Sequence, residues 1–124
     1  MSNTNTVLVV VEDDPDMRLL IRAHLSREPR IEIVGEAADA ATAIELARAA
    51  QPALIVLDHS IEGDVMGLDA APMLKKVAPT VKILLFTAYD MGAEAADEPA
   101  VDVFLPKSRI GDLLPTVRTM LALD

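Results

Sequence analysis

Leu54-Ile55-Val56-Leu57 is an unbroken apolar run that ends in a carboxylate, Asp58, and no other stretch limits the possible folds of this chain as tightly. A strand that is apolar on both faces needs a layer of helices on each side, which is the condition of a parallel sheet. The run is too short for a buried helix, and Pro52 and Gly63 bracket it. Asp58 then falls at the carboxyl end of the strand, where open α/β sheets place their ligands. Taken alone, it is equally well a loop aspartate beyond a core strand. Two more acidic residues, Glu12 and Asp13, end another apolar run in the same way.

The rest of the chain repeats this grammar. Val7 to Val11 reads as an all-apolar first strand, and Asp14-Pro15 as an N-cap with proline at the first helical position. Met17, Leu20, Ile21, His24 and Leu25 mark one face of a helix ending near Arg27. Ile31 to Glu36 is a second strand, and Asp39 caps a second helix with Ala40, Ala43, Ile44 and Ala47 on its apolar side. A third helix is expected from Gly67 to Val77, entered through Asp69 or slightly before, with Pro72 tolerable only in its first turn. Val81 to Phe86 and Val101 to Leu105 are the fourth and fifth strands. Between them, Asp90 to Glu98 is rich in alanine and poor in large apolar residues, so that helix should be short or mobile. Asp112 is expected to cap the last helix, with Pro115 in its first turn and Leu114, Val117 and Leu121 inward. Five βα units in succession imply a doubly wound parallel sheet of flavodoxin-like order 2-1-3-4-5. No repeat or linker divides residues 1–124, which read as one domain.

Composition narrows the function. A hydrophobic fraction of 52% and a mean hydropathy of +0.32 exclude a disordered chain. No apolar run is long enough to span a bilayer and no basic leader opens the chain, which implies a cytoplasmic protein without membrane association. The absence of cysteine removes disulfides and thiolate metal sites. A net charge of −9, with the 11 basic residues scattered, argues against direct nucleic-acid binding.

In the expected strand order Glu12, Asp13 and Asp58 converge in one crevice. Like charges so placed repel unless a cation lies between them. An all-oxygen set favours Mg²⁺, or a similar hard ion such as Mn²⁺, over zinc. The fourth strand ends in Thr87, and the fifth is followed by Lys107. A carboxylate nucleophile, a metal, a hydroxyl and an ammonium compose a phosphoryl-transfer site.

The segments Val9-Val10-Val11-Glu12-Asp13-Asp14, Leu57-Asp58, Phe86-Thr87-Ala88 and Phe104-Leu105-Pro106-Lys107 together resemble the response-regulator receiver domains (CheY-like) of bacterial two-component signalling, over essentially the whole length. The resemblance implies that Asp58 is the phosphoacceptor for a sensor histidine kinase or His-phosphotransfer protein. It implies that Glu12, Asp13, Asp58 and the Ser60 backbone carbonyl hold the metal. Thr87 would bond the phosphoryl oxygen, Lys107 would neutralise it, and Phe104 would be the switch aromatic. The surface of the fourth helix, fifth strand and fifth helix would then bind a downstream protein or a second copy. The chain departs from the family pattern in three places. Glu62 replaces the usual proline, in a loop one residue longer that also carries Asp64; Ser108 follows Lys107 where many members have proline, as in receivers of the LuxR/NarL type; and Phe104 lacks a phenol hydroxyl. Tyr89 is expected to overhang the crevice and to slow loss of phosphate, with His59 and Glu62 as further modulators at its edge. A receiver-like interaction module that is never phosphorylated is the main rival. A Mg²⁺-dependent phosphohydrolase fits less well, because Ser60 stands where such enzymes carry an acid/base aspartate. Such a domain acts alone or as part of a longer DNA-binding regulator.

Overall fold

A computed structural model describes residues 6–123. Strand β1 (Thr6–Val11), helix α1 (Pro15–Leu25), β2 (Ile31–Ala37), α2 (Ala40–Ala50), β3 (Leu54–Leu57), α3 (Gly67–Val77), β4 (Lys82–Thr87), α4 (Gly92–Ala96), β5 (Val103–Pro106) and α5 (Leu113–Met120) follow one another, with a 3₁₀ segment, Lys107–Asp112, before α5. The strands form one parallel sheet in the order β2-β1-β3-β4-β5. This is the flavodoxin-like arrangement expected above.

The apolar strands explain the two helix layers directly. Successive side chains point to opposite faces, so Val9, Val11, Ile55, Leu57, Ile83 and Leu85 bury into a core shared with Ala43 and Ala47 of α2, Ala70 and Leu74 of α3 and Ala95 of α4. Val10, Leu54, Val56, Leu84 and Phe86 bury on the other face, against Ile21 and Leu25 of α1 and Leu113 and Val117 of α5. Each β3 residue therefore has a helix layer to bury against, which is why the run tolerates no polar residue.

Several expectations need correction. Leu20 is 42% exposed and Met17 only partly buried, so the inward face of α1 is carried by Ile21 and Leu25. Helix α3 runs from Gly67 to Val77 as expected, but Pro72 lies beyond its first turn without ending it. Asp112 does precede α5, but its side chain caps nothing and pairs with Arg109 instead. Asp14 and Asp39 do cap α1 and α2, accepting from Asp16 N–H at 3.0 Å and Thr42 N–H at 2.8 Å. Helix α4 has only five residues, as its composition foretold.

A buried carboxylate, Glu28, ties the end of α1 to α5. It accepts from Arg30 Nε at 2.8 Å and Nη2 at 3.0 Å, and from Arg118 Nε, 90 residues away, at 3.0 Å. The hydrogen bonds from Arg30 hold its carboxyl at about 2 against an ordinary 4.5. A depressed carboxyl stabilises the fold above its unfolded value, and that contribution is lost as pH falls through the folded one. Glu28→Gln should therefore lower the melting temperature at pH 7, with the gap to wild type closing as pH falls from 4.5 towards 2. A gap that stays constant across that window in thermal melts would argue against the clamp.

Candidate functional site

The carboxyl ends of β1, β3, β4 and β5 meet at one edge of the sheet, and the backbone ladder runs one residue beyond the strands there. Glu12 N–H donates to the Ala37 carbonyl at 2.8 Å, and Asp58 N–H to the Val11 carbonyl at 2.9 Å. Arg18 Nη1 donates to the Glu12 carbonyl at 2.7 Å, a contact with no sequence signature beyond a basic residue one turn into the first helix. Both acidic residues are thus fixed in their main chains before any ligand arrives.

The side chains converge as expected. Glu12, Asp13, Asp58, Ser60, Thr87, Tyr89 and Lys107 line one crevice of about 230 Å³. Lys107 Nζ donates to Asp58 Oδ2 at 2.8 Å and forms an ion pair with Glu12 Oε1 at 2.8 Å. Burial opposes the Lys107 charge, and the hydrogen bonds and negative charges of Asp58 and Glu12 outweigh it, so its pKa is raised. For Glu12 burial dominates: despite Lys107, its carboxyl is pushed up to about 7, with the Asp58 charge adding to the rise. Thr87 is fully buried, and its Oγ1 accepts only a long 3.5 Å contact from Tyr89 N–H. Tyr89 is 56% exposed at the mouth, edge-on to His59.

The donor set fits a hard divalent cation. Carboxylate oxygens of Glu12, Asp13 and Asp58 lie within 4.8 Å of one another. Asp58 Oδ1 is buried without a hydrogen-bond partner, a state that costs free energy unless something satisfies it. Three carboxylates against one ammonium leave the crevice negative, and oxygen ligands select Mg²⁺-like ions.

Other expected residues lie elsewhere. Phe104 is partly buried behind the crevice, lining a separate cavity of about 380 Å³ with Gly92, Ala95 and Val101 beneath α4. Glu62 and Asp64 are exposed and line another hollow beside Asp39, so the added loop charge does not enter the crevice. One residue escaped the sequence reading: a Cβ on Gly67 would lie 1.9 Å from the Asp58 carbonyl oxygen. The glycine at the end of the long loop was its only signal.

A five-strand parallel sheet of order 2-1-3-4-5 with acidic residues and a lysine at its carboxyl edge is the arrangement of a signalling receiver domain. The chain belongs to the response regulator receiver domain family, whose model matches residues 8–118. It is 33% identical over 112 residues to the transcriptional regulatory protein PdtaR of Mycobacterium tuberculosis, covering 89% of this chain and 54% of that protein. The response regulator protein VraR of Staphylococcus aureus is 35% identical over 106 residues, 83% of this chain and 50% of VraR. The chain thus spans about half the length of these curated relatives. The crystal structure of a LuxR-family two-component response regulator from Aurantimonas sp. superposes with a TM-score of 0.87 at 28% identity, covering 95% of this chain and 86% of that one. No helix among the described residues is long and apolar enough to cross a membrane.

Gly67→Ala should cost roughly 1–3 kcal/mol, the usual penalty of overpacking, because the Asp58 main chain must move to admit the methyl group. Gly111→Ala, whose Cβ would meet nothing within 4 Å, serves as the control. Equal urea midpoints for the two variants would refute the close approach.

Proposed function

We propose that residues 1–124 are a receiver that takes a phosphoryl group onto Asp58 in a Mg²⁺-dependent step and passes the change to a protein partner. One observation carries this reading: Asp58 has one oxygen held by Lys107 and the other buried without a hydrogen-bond partner, among three clustered carboxylates.

In the proposed reaction an Asp58 oxygen attacks the phosphorus of a phosphohistidine on a sensor kinase or His-phosphotransfer protein. The P–N bond breaks, its electron pair returns to the imidazole nitrogen, and an acyl phosphate forms on Asp58. Glu12, Asp13, Asp58 and the Ser60 carbonyl are the residues that would hold the cation, which when bound neutralises charge on the transferring group. Lys107 keeps the phosphoryl oxygens neutralised after transfer, and Thr87 donates its hydroxyl to one of them. Displacement of Thr87 opens room toward Phe104, and the surface of α4, β5 and α5 repacks to meet a downstream protein or a second copy of the chain. The short α4 supports this assignment, since Ala95 is its only buried residue, with Met91 buried just before it. Whether the output lies in a longer regulator or a separate protein, the chemistry at Asp58 is the same.

Incubation with a small-molecule acyl phosphate should add one phosphoryl group by intact mass, only with Mg²⁺ present, and Asp58→Asn should take up none. A wild-type protein that stays unlabelled under these conditions would leave the non-phosphorylated interaction module as the better account. Mg²⁺ should also raise the melting temperature more at pH 8 than at pH 6. With its folded value raised to about 7, Glu12 contributes stability below 4.5 that is lost as pH rises through 7, and a cation must displace its remaining protons at low pH. An equal shift at both pH values would remove Glu12 from the ligand set. Tyr89→Ala, by uncovering the mouth, should shorten the acyl-phosphate lifetime in a decay assay; an unchanged lifetime would show that the ring does not limit water access.

A further inference from the structure

We propose that His59, the residue after Asp58, is a positioning residue that locks the phosphoacceptor segment by capping α3 from outside the helix. This rests on the reading of Asp58 as phosphoacceptor. The first amides of a helix have no partner within it, and a Ser, Thr, Asp or Asn at the N-cap normally accepts from one of them. Helix α3 begins after Met66, whose side chain makes no capping hydrogen bond. The missing acceptors come from His59 instead. Gly67 N–H donates to the His59 carbonyl at 2.8 Å, and Leu68 N–H to His59 Nδ1 at 3.2 Å. One residue, eight positions before the helix, therefore supplies two of its opening acceptors.

Accepting at Nδ1 places the ring proton of the neutral imidazole on Nε2 and fixes the ring orientation. So oriented, the ring meets Tyr89 edge to face, with centroids 6.3 Å apart and planes at 85°. His59 thus joins three parts of the crevice wall: the start of α3, the main chain of Asp58, and the loop that follows Thr87. Gly67 brings the helix so close that a Cβ there would overlap the Asp58 carbonyl. The cap consequently acts on Asp58 at van der Waals contact, with no loop to absorb slack.

The long connection between β3 and α3 explains the need. Glu62, Gly63, Asp64 and Met66 are exposed, and the connection is held by the buried Ile61, by Val65 against the core and by the bond from Glu62 N–H to the Ala38 carbonyl at 2.9 Å. Without His59, slack in this segment would pass directly to the Asp58 carboxylate and the Ser60 carbonyl. Any loss of the properly posed population lowers apparent cation affinity and phosphorylation rate by the same fraction.

The test compares wild type with His59→Ala, His59→Asn and His59→Gln in the whole chain. Asparagine Oδ1 falls where Nδ1 lies and restores the acceptor; glutamine Oε1 falls one bond further and does not. Native-state hydrogen exchange at the Leu68 amide should speed up roughly fivefold in the Ala and Gln proteins, the factor one helix cap is worth, and return to the wild-type rate in the Asn protein. Mg²⁺-dependent phosphorylation by an acyl phosphate should slow in the Ala and Gln proteins, in proportion to the drop in the closed population, and recover in the Asn protein. Unchanged Leu68 exchange in His59→Ala, or an Asn protein that behaves like Ala, overturns the cap. Altered exchange with normal phosphorylation overturns the positioning role. A wild-type protein that takes up no phosphate defeats the reading of Asp58, while the exchange series still decides whether His59 holds α3.

Discussion

The fold places three carboxylates at one end of its sheet and gives them one ammonium. Lys107 reaches Asp58 and Glu12 at 2.8 Å each, and Asp13 is left outside its grasp. Two carboxylates and one buried cation still sum to a negative charge where water is largely excluded, and the consequence shows in Glu12, whose burial outweighs its attraction to Lys107. The protein therefore carries at this edge an electrostatic debt that its own residues do not settle. A divalent cation, or a proton on Glu12, is what makes the arrangement tolerable. Clusters of this kind are expected at functional sites and are costly anywhere else.

What lets the sheet bear that cost is the apolar construction beneath it. β3 is buried on both faces, as are Val9–Val11 of β1 and Ile83–Thr87 of β4, and Glu12 and Asp58 follow directly where β1 and β3 end. The ladder bonds of Glu12 and Asp58 carry sheet rigidity into the crevice itself. A polar residue one position earlier in β3 would lie in one helix layer or the other. The register of strand to charge is set by the same burial that sets the strand.

The strands and the converging residues were legible in the sequence because both obey strict patterns: continuous apolar runs, and charged or hydroxyl residues at their ends. What was illegible depended on long-range partners. Glu28 stands in a polar stretch, Arg27-Glu28-Pro29-Arg30, that reads as a surface turn, and only the approach of Arg118 makes it a buried hub. Asp112 has the residue type of a cap, yet Arg109 three positions earlier competes for its carboxylate and wins. His59 was legible only as a modulator at the crevice edge, since nothing local announces that Leu68 will present its amide. Leu20 and Ile21 both fit the helical stripe, and the angle at which α1 meets the sheet chose between them.

Stability is unevenly spread around the crevice, and the unevenness has a direction. On the β3 side, Gly67, His59 and the Asp58 main chain are in direct contact, and α3 is anchored through Ala70, Ala71 and Leu74. On the β4 side, the Thr87 hydroxyl has one weak hydrogen bond, α4 has five residues, and the cavity of about 380 Å³ under it is bordered by Phe104. Elements with few buried apolar contacts open at the lowest free-energy cost. A new charge at Asp58 would therefore find a stiff wall on one side and a yielding one on the other. Packed interiors respond by switching between discrete arrangements rather than by bending. The yielding wall is the one that leads to Phe104 and the outer face of α4 and β5, so the direction in which a local event at Asp58 can travel is already written into where the large apolar residues are and where they are missing.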